Sequence, residues 1–252
     1  MQLLVSVRAG DEVAAALAGG ADIIDAKEPA RGSLGPVSPE VLRAIAGRLP
    51  ESVPLSVALG DFTAPEAVRL AVAGAKVPVR RAPTYLKLGF AGERSEAVVT
   101  SLIAAALETT AAMSVRPTVV PVAYADHVSA GSLAPEDLFR AALAAGARGF
   151  LVDTCMKDGR GLLEWVDLER LRALSASARS AGLLLAIAGS LDPAGLDRLA
   201  SLADVVGVRG AACRGGREGS VDAALVRRLR ERLGTGGSSP SAAGRPSRSA
   251  AG

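Results

Sequence analysis

Aromatic residues, histidine, cysteine and lysine are all scarce in this chain, and each shortage excludes something. Aromatics make up only 3% of the 252 residues, too few for the stacking platforms a single-strand nucleic-acid binder needs. The net charge of +3 is small. Much of the positive charge lies near the C-terminus, so it gives little reason to expect nucleic acid as a partner. His127 is the one histidine, and the carboxylates are not spaced as an obvious cage, so no metal is expected. The two cysteines, Cys155 and Cys213, do not make a disulfide framework and are given no role. No apolar run approaches the roughly 20 residues needed to span a bilayer. Met1–Val7 begins directly as a strand without a signal-peptide layout. A soluble, cytoplasmic protein with no membrane partner is therefore expected.

Lysine is the most informative shortage. The chain carries 25 arginines and four lysines, Lys27, Lys76, Lys87 and Lys157. Arginine keeps its proton at physiological pH, whereas lysine can lose one and form an imine with a carbonyl. A chain that uses arginine nearly everywhere for charge has kept lysine at a few places.

What is abundant is small and aliphatic. A 49% hydrophobic content over 252 residues supports one large core, and it suits a single β/α barrel better than two small domains. Apolar strand-like runs alternate with alanine-rich helical stretches. Strands are predicted at 3–7, 22–27, 55–60, 85–90, 118–123, 149–154, 183–188 and 205–208. Helices are predicted at 11–18, 39–48, 65–73, 95–113, 135–145, 168–181, 193–202 and 221–233. Several start at a cap followed by proline, as in Ser38-Pro39, Ala64-Pro65 and Asp192-Pro193, and several end at glycine, as at Gly146 and Gly182.

Eight strands alternating with eight helices is the pattern of a (β/α)8 TIM barrel over residues 1–233. A doubly wound open sheet is the runner-up, but no dinucleotide fingerprint follows the first strand. The segment Lys76–Thr84 is irregular and not assigned. Residues 234–252 are rich in Gly, Ser, Ala and Arg, without periodicity, and are expected to be a disordered tail.

In a barrel the chemistry sits at the C-terminal ends of the strands. Asp25 and Lys27 are two apart on one strand and so share a face, and Glu28-Pro29 stops that strand. Lys87, between Leu86 and Leu88, should face the barrel while its neighbours face the helices. The other rim residues are Asp61, Asp126, Asp153 and Lys157. Three of the four lysines thus converge with several aspartates, which suggests imine catalysis on a carbonyl with a second lysine as acid or base. Neighbouring lysines lower each other's pKa, and aspartates raise it; the sequence leaves open which prevails at Lys27. The turns at Gly189-Ser190 and Arg209-Gly210-Ala211 follow the last two strands, where barrels commonly bind phosphate on backbone amides. Arg209 could add charge there. Asp126 is also assigned to substrate binding.

These segments resemble one family, the (5-formylfuran-3-yl)methyl phosphate synthases of methanofuran biosynthesis. The resemblance runs to about Leu233 and rests on GGADIIDAKEPARGSLG (19–35), SVALGD (56–61), YLKLG (85–89), YAD (124–126), LVDTCMKDG (151–159), AIAGSL (186–191) and GVRGAACRGG (207–216). It implies a carbon–oxygen lyase that condenses two glyceraldehyde 3-phosphates into a phosphorylated furaldehyde, with loss of phosphate and water. By that match Lys27 is the Schiff-base lysine and Lys87 the proton-transfer lysine, supported by Asp25, Asp153 and Lys157. No cofactor is implied, because the imine is the electron sink. Lys76–Thr84, His127 and the serine-rich tail depart from the family pattern. Arg31, Ser33 and Arg214 are candidates for a second phosphate. A homo-oligomer is the default expectation. The competing readings are a class I aldolase acting on another phosphorylated carbonyl compound and a catalytically silent barrel that binds a phosphometabolite.

Overall fold

The first strand pairs with the eighth, and that contact decides between an open sheet and a barrel. In the computed structural model, which describes residues 1–199 and 201–235, the strands are β1 (Gln2–Val7), β2 (Ile23–Ala26), β3 (Leu55–Asp61), β4 (Thr84–Gly89), β5 (Thr118–Tyr124), β6 (Gly149–Asp153), β7 (Leu184–Ile187) and β8 (Val205–Val208). All neighbours are parallel, and β1 closes on β8 through Gln2↔Val205 to Val5↔Val208. The fold is a (β/α)8 TIM barrel, and the open-sheet alternative is excluded. Gly210–Ala212 after β8 is a 3-10 turn, and Cys213–Arg214 and Ser220–Val221 form a two-stranded antiparallel ribbon, β9 and β10.

The helices are α1 (Glu12–Ala18), α2 (Pro39–Ala46), α3 (Pro65–Gly74), α4 (Glu96–Ala111), α5 (His127–Ala130), α6 (Pro135–Ala145), α7 (Leu168–Ser180), α8 (Pro193–Leu199) and α9 (Ala223–Thr235). Local chemistry explains their ends. Ser38, Ser95 and Asp167 accept backbone N–H bonds as caps. Proline occupies the first turn of α2, α3 and α6, where its missing N–H costs nothing. Gly146 ends α6 at φ +86°, a left-handed conformation that other residues adopt only at a cost.

Three local expectations needed adjustment. The four-residue helix α5 was not expected; it turns the chain back between β5 and β6. Lys76–Thr84 is irregular but anchored, because the Arg80 guanidinium donates to the carbonyls of Ala46, Leu49, Pro50 and Val53. The last helix runs two residues past Leu233, to Thr235. The rest of the segment expected to be disordered lies outside the described residues. No helix among the described residues is long and apolar enough to cross a membrane.

Alternation along each strand divides the core in two. Outward residues such as Leu3, Val5, Ile24, Leu86, Leu88 and Phe150 pack against the helices. Inward, Ile23, Val120, Leu151 and Val205 are branched, but Ser6, Ser56, Ala58, Ala186, Ala188 and Gly207 are small where many barrels carry branched side chains. A cavity of about 350 Å³ therefore opens at the C-terminal rim and reaches down past Ser56 toward Leu4 and Tyr85.

Candidate active site

The end of β2 carries Asp25 into the barrel axis, where it is 0% exposed. Its register partners are Ser6 on β1 and Ser56 on β3. Ser6 Oγ donates to Asp25 Oδ2 at 2.8 Å. Lys87 Nζ, from β4, lies 2.7 Å from Asp25 Oδ1. That contact is an ion pair outside hydrogen-bonding angles, so Oδ1 is held by charge rather than by an aligned donor. Burial opposes ionisation of Asp25, but Lys87 and Lys27 outweigh it and keep its carboxyl below the usual value. Across the cavity, Lys157 Nζ donates to Asp153 Oδ1 at 3.0 Å and to Thr154 Oγ1 at 2.9 Å. Burial again opposes charge on Asp153, while Lys157 and Lys27 bring it down to about 2.

Lys27 differs from both. It borders the cavity and is only 6% exposed. Its backbone N–H continues the ladder to the Val7 carbonyl, yet its Nζ has no hydrogen-bond acceptor and no carboxylate within 4 Å among the described residues. Burial is the largest influence on this amine, Asp153 pulls the other way, and Lys87 adds repulsion; the pKa falls to about 7. Of three lysines bordering one cavity, two are ion-paired and one is a buried amine, half unprotonated near neutrality. Such a group is a nucleophile for carbonyls.

The turns after β7 and β8 also border this cavity. Gly189 and Ser190 have φ of +112° and +48°, which turns the chain sharply outward. The N–H groups of Gly189, Ser190, Gly210 and Ala211 have no acceptor among the described residues. They form a set of donors suited to an anion.

Two assigned residues do something else. Arg209 borders the cavity, but all five of its N–H donors are committed. Nη1 donates to the Ser6 carbonyl at 2.9 Å and to Glu12 at 2.6 Å. Nη2 donates to Glu12 at 3.0 Å and to the Gly219 carbonyl at 2.6 Å, and Nε to the Arg217 carbonyl at 3.0 Å. None is left for a substrate phosphate; Arg209 is a buried clamp between β1, α1 and the ribbon. Asp126 also fails to reach the cavity. Both its oxygens accept backbone N–H bonds of 2.7 Å, from Cys155 and Met156, so it shapes the loop after β6.

The suggested second-phosphate residues point elsewhere too. Arg214 is 79% exposed and pairs with Asp222. Arg31 lies on the Pro36 carbonyl at 3.4 Å. Ser33 Oγ donates to Tyr124 Oη at 3.2 Å, and Tyr124 Oη donates to Asp61 at 2.8 Å. This chain of bonds ties the loop after β2 to β5 and β3, outside the cavity lining. Burial pushes the Cys155 thiol up to about 11, and neighbouring aspartates add to it, so it remains protonated at neutral pH.

Sequence reasoning missed Ser56 and Arg217. Ser56 Oγ is buried without a partner on the cavity wall. Its inward period-2 position was a usable signal. Arg217 reaches the cavity from a glycine-flanked turn, and no local pattern marks it.

Known proteins match this chain over nearly all its length. A family model described as 4-HFC-P synthase matches residues 3–230. A (5-formylfuran-3-yl)methyl phosphate synthase of Methanothermobacter thermautotrophicus is 38% identical, covering 92% of this chain and 99% of its own. One from Methanopyrus kandleri is also 38% identical, with 92% and 98% covered, and one from Methanosarcina barkeri is 36% identical, with 91% and 97% covered. Among solved structures, a phosphoribosyl anthranilate isomerase superposes with a TM-score of 0.56 at 15% identity, over 93% of this chain and 99% of that one. A thiamine phosphate pyrophosphorylase from Pyrococcus furiosus gives 0.53 at 13%, over 94% and 96%. These two likenesses concern the fold alone.

Proposed function

Because this chain belongs to the 4-HFC-P synthase family, we propose that it is an enzyme of methanofuran-type biosynthesis making (5-formylfuran-3-yl)methyl phosphate from two glyceraldehyde 3-phosphates. The observation that carries the reading is the unpaired Lys27 amine, lowered to about 7 beside two lysines that are ion-paired.

In this reading Lys27 Nζ attacks the aldehyde of one triose and water leaves to give an imine. The imine acidifies the adjacent carbon. Lys87, paired with Asp25, moves the proton, and the enamine attacks the second aldehyde. Asp153 and Lys157 form a second acid–base pair across the cavity and serve the eliminations. A hydroxyl closes the ring onto the imine carbon and expels Lys27 Nζ as the free amine, inorganic phosphate and a second water are eliminated, and no oxidant is required. The turn amides of Gly189, Ser190, Gly210 and Ala211 hold a phosphate through partial positive charge rather than a side chain.

The test is incubation with glyceraldehyde 3-phosphate, with and without borohydride, followed by peptide masses and furan absorbance. The expected result is a reduced adduct on Lys27 and furan in the untreated sample. An adduct without furan would make the protein an imine-forming lyase with another second substrate. An adduct on a different lysine would overturn the role of Lys27.

The pH dependence has a definite sign. Only the neutral amine attacks, and Lys27 loses its proton near pH 7. The rate of imine trapping should fall about tenfold per pH unit well below that value and level off about one unit above it. A rate still rising steeply at pH 9 to 10, in the range of an ordinary lysine near ~10.4, would show that the amine is not activated in this way.

A further inference from the structure

The proposed reaction brings two phosphates into one cavity, and the turn amides after β7 and β8 form one cradle. The other charges around the cavity largely cancel. Lys87 is matched by Asp25, and Lys157 by Asp153. Arg209 is matched by Glu12. Asp192 also borders the cavity, but its Oδ1 accepts the Gly195 N–H at 2.7 Å.

Besides the unpaired Lys27 amine, Arg217 is the exception. It borders the cavity, is half-buried, and has no carboxylate within 4 Å among the described residues. Its charge persists at neutral pH whatever its surroundings.

The segment carrying Arg217 is held in place independently. Ribbon β9–β10 returns the chain over the end of β8. Arg209 holds the carbonyls of Arg217 and Gly219. The Arg217 backbone lies against Gly210, where a side chain's first carbon would come 3.7 Å from its amide nitrogen. From there the side chain crosses to the other side of the mouth. Its Nη2 donates to the carbonyls of Pro29 at 3.1 Å and Gly32 at 2.6 Å, in the loop just past Lys27. Nε and Nη1 have no acceptor among the described residues. The guanidinium is therefore fixed over the Lys27 side of the cavity with donors to spare, away from the turn amides at the base of its own segment.

Resting on the function proposed above, we infer that Arg217 holds the phosphate of the second triose, so that the site seats two anions: one on the β7 and β8 turn amides and one on this guanidinium. Planar guanidinium donors suit a phosphate's oxygens. The same contact would pull the loop after Lys27 toward the ribbon.

The test compares wild type with Arg217→Gln and Arg217→Lys, each shown to be folded by its thermal transition. Titration with inorganic phosphate should find two anions per wild-type chain and one per Arg217→Gln chain. In furan formation, KM for glyceraldehyde 3-phosphate should rise about 10- to 100-fold in Arg217→Gln, the scale of a lost charge-assisted contact, and less in Arg217→Lys. Borohydride trapping reads the first triose, on Lys27, so its rate and its preference for glyceraldehyde 3-phosphate over unphosphorylated glyceraldehyde should stay close to wild type in Arg217→Gln. A purely structural clasp, whose loss would misplace the loop after Lys27, would slow trapping along with furan formation, which would overturn the inference. One phosphate per wild-type chain, or equal stoichiometry in wild type and variant, would overturn it as well. The proposed function fails separately, if wild type forms no furan. Loss of one of two phosphates in Arg217→Gln would still support the anion site in that case.

Discussion

Lys27→Met is expected to lose at least about 10⁴-fold in furan formation and to form no borohydride-trapped adduct, while folding as well as the parent chain. A residue that supplies the covalent link cannot be replaced by its neighbours, and loss of one such member typically removes most of the catalytic gain. Neither Lys87 nor Lys157 can substitute, because each amine is held on a carboxylate, 2.7 Å from Asp25 and 3.0 Å from Asp153. The folding part of the expectation comes from the same geometry. Lys27 is buried without an ion-pair partner, and burial lowers its pKa to about 7. Methionine keeps the length and apolar stem and removes the amine that had to be desolvated. Turnover and peptide mass check the first half, and a thermal melt the second. Substantial furan formation by Lys27→Met would remove the imine from the mechanism.

Glu12→Ala is expected to produce the largest loss of stability of any single change at the rim. Glu12 is 7% exposed and Arg209 5%. The carboxylate receives both guanidinium nitrogens as well as the N–H groups of Arg8 and Val221. Removing it leaves a buried, uncompensated charge, which costs about 3–5 kcal/mol. For a chain of this length the melting temperature should fall by roughly 10 °C. The pair joins residues 197 positions apart and clamps β1 and α1 to the segment after β8, so the effect should spread to the site. Arg209 would lose its hold on the carbonyls of Arg217 and Gly219, and KM for the phosphorylated aldehyde should rise in those molecules still folded. A melting temperature within about 2 °C of wild type would mean that water or a neighbour compensates Arg209, and the clamp would carry little energy.

The two expectations differ in how far the sequence anticipated them. Lys27 was visible because its setting is local. Asp25 and Lys27 are two residues apart on a strand, a proline follows, and the period of two puts both on the inner face. Lys87 between two leucines was legible for the same reason. So were the alternation of strands and helices, the serine and aspartate caps, and the terminating glycines. These depend on neighbours within a few residues, and the resemblance of the matching segments added the chemistry.

The tertiary structure decided how the charges pair. Arg209 looked like a phosphate ligand because it follows the last strand, but closure of β1 on β8 brings Glu12 and the Ser6 carbonyl to it and uses every donor. Asp126 looked like a rim carboxylate, but a short unexpected helix follows it and its oxygens turn to the Cys155 and Met156 amides. Arg217 carried no local mark, and only the ribbon's return places it against the loop that follows Lys27. Which lysine stays unpaired was only partly local: Lys157 pairs with Asp153 four residues away, but Lys87 reaches Asp25 from β4, and that contact leaves Lys27 without a partner. Periodicity fixes the face on which a side chain stands. What it meets there is set by long-range packing and the cost of leaving a buried charge alone.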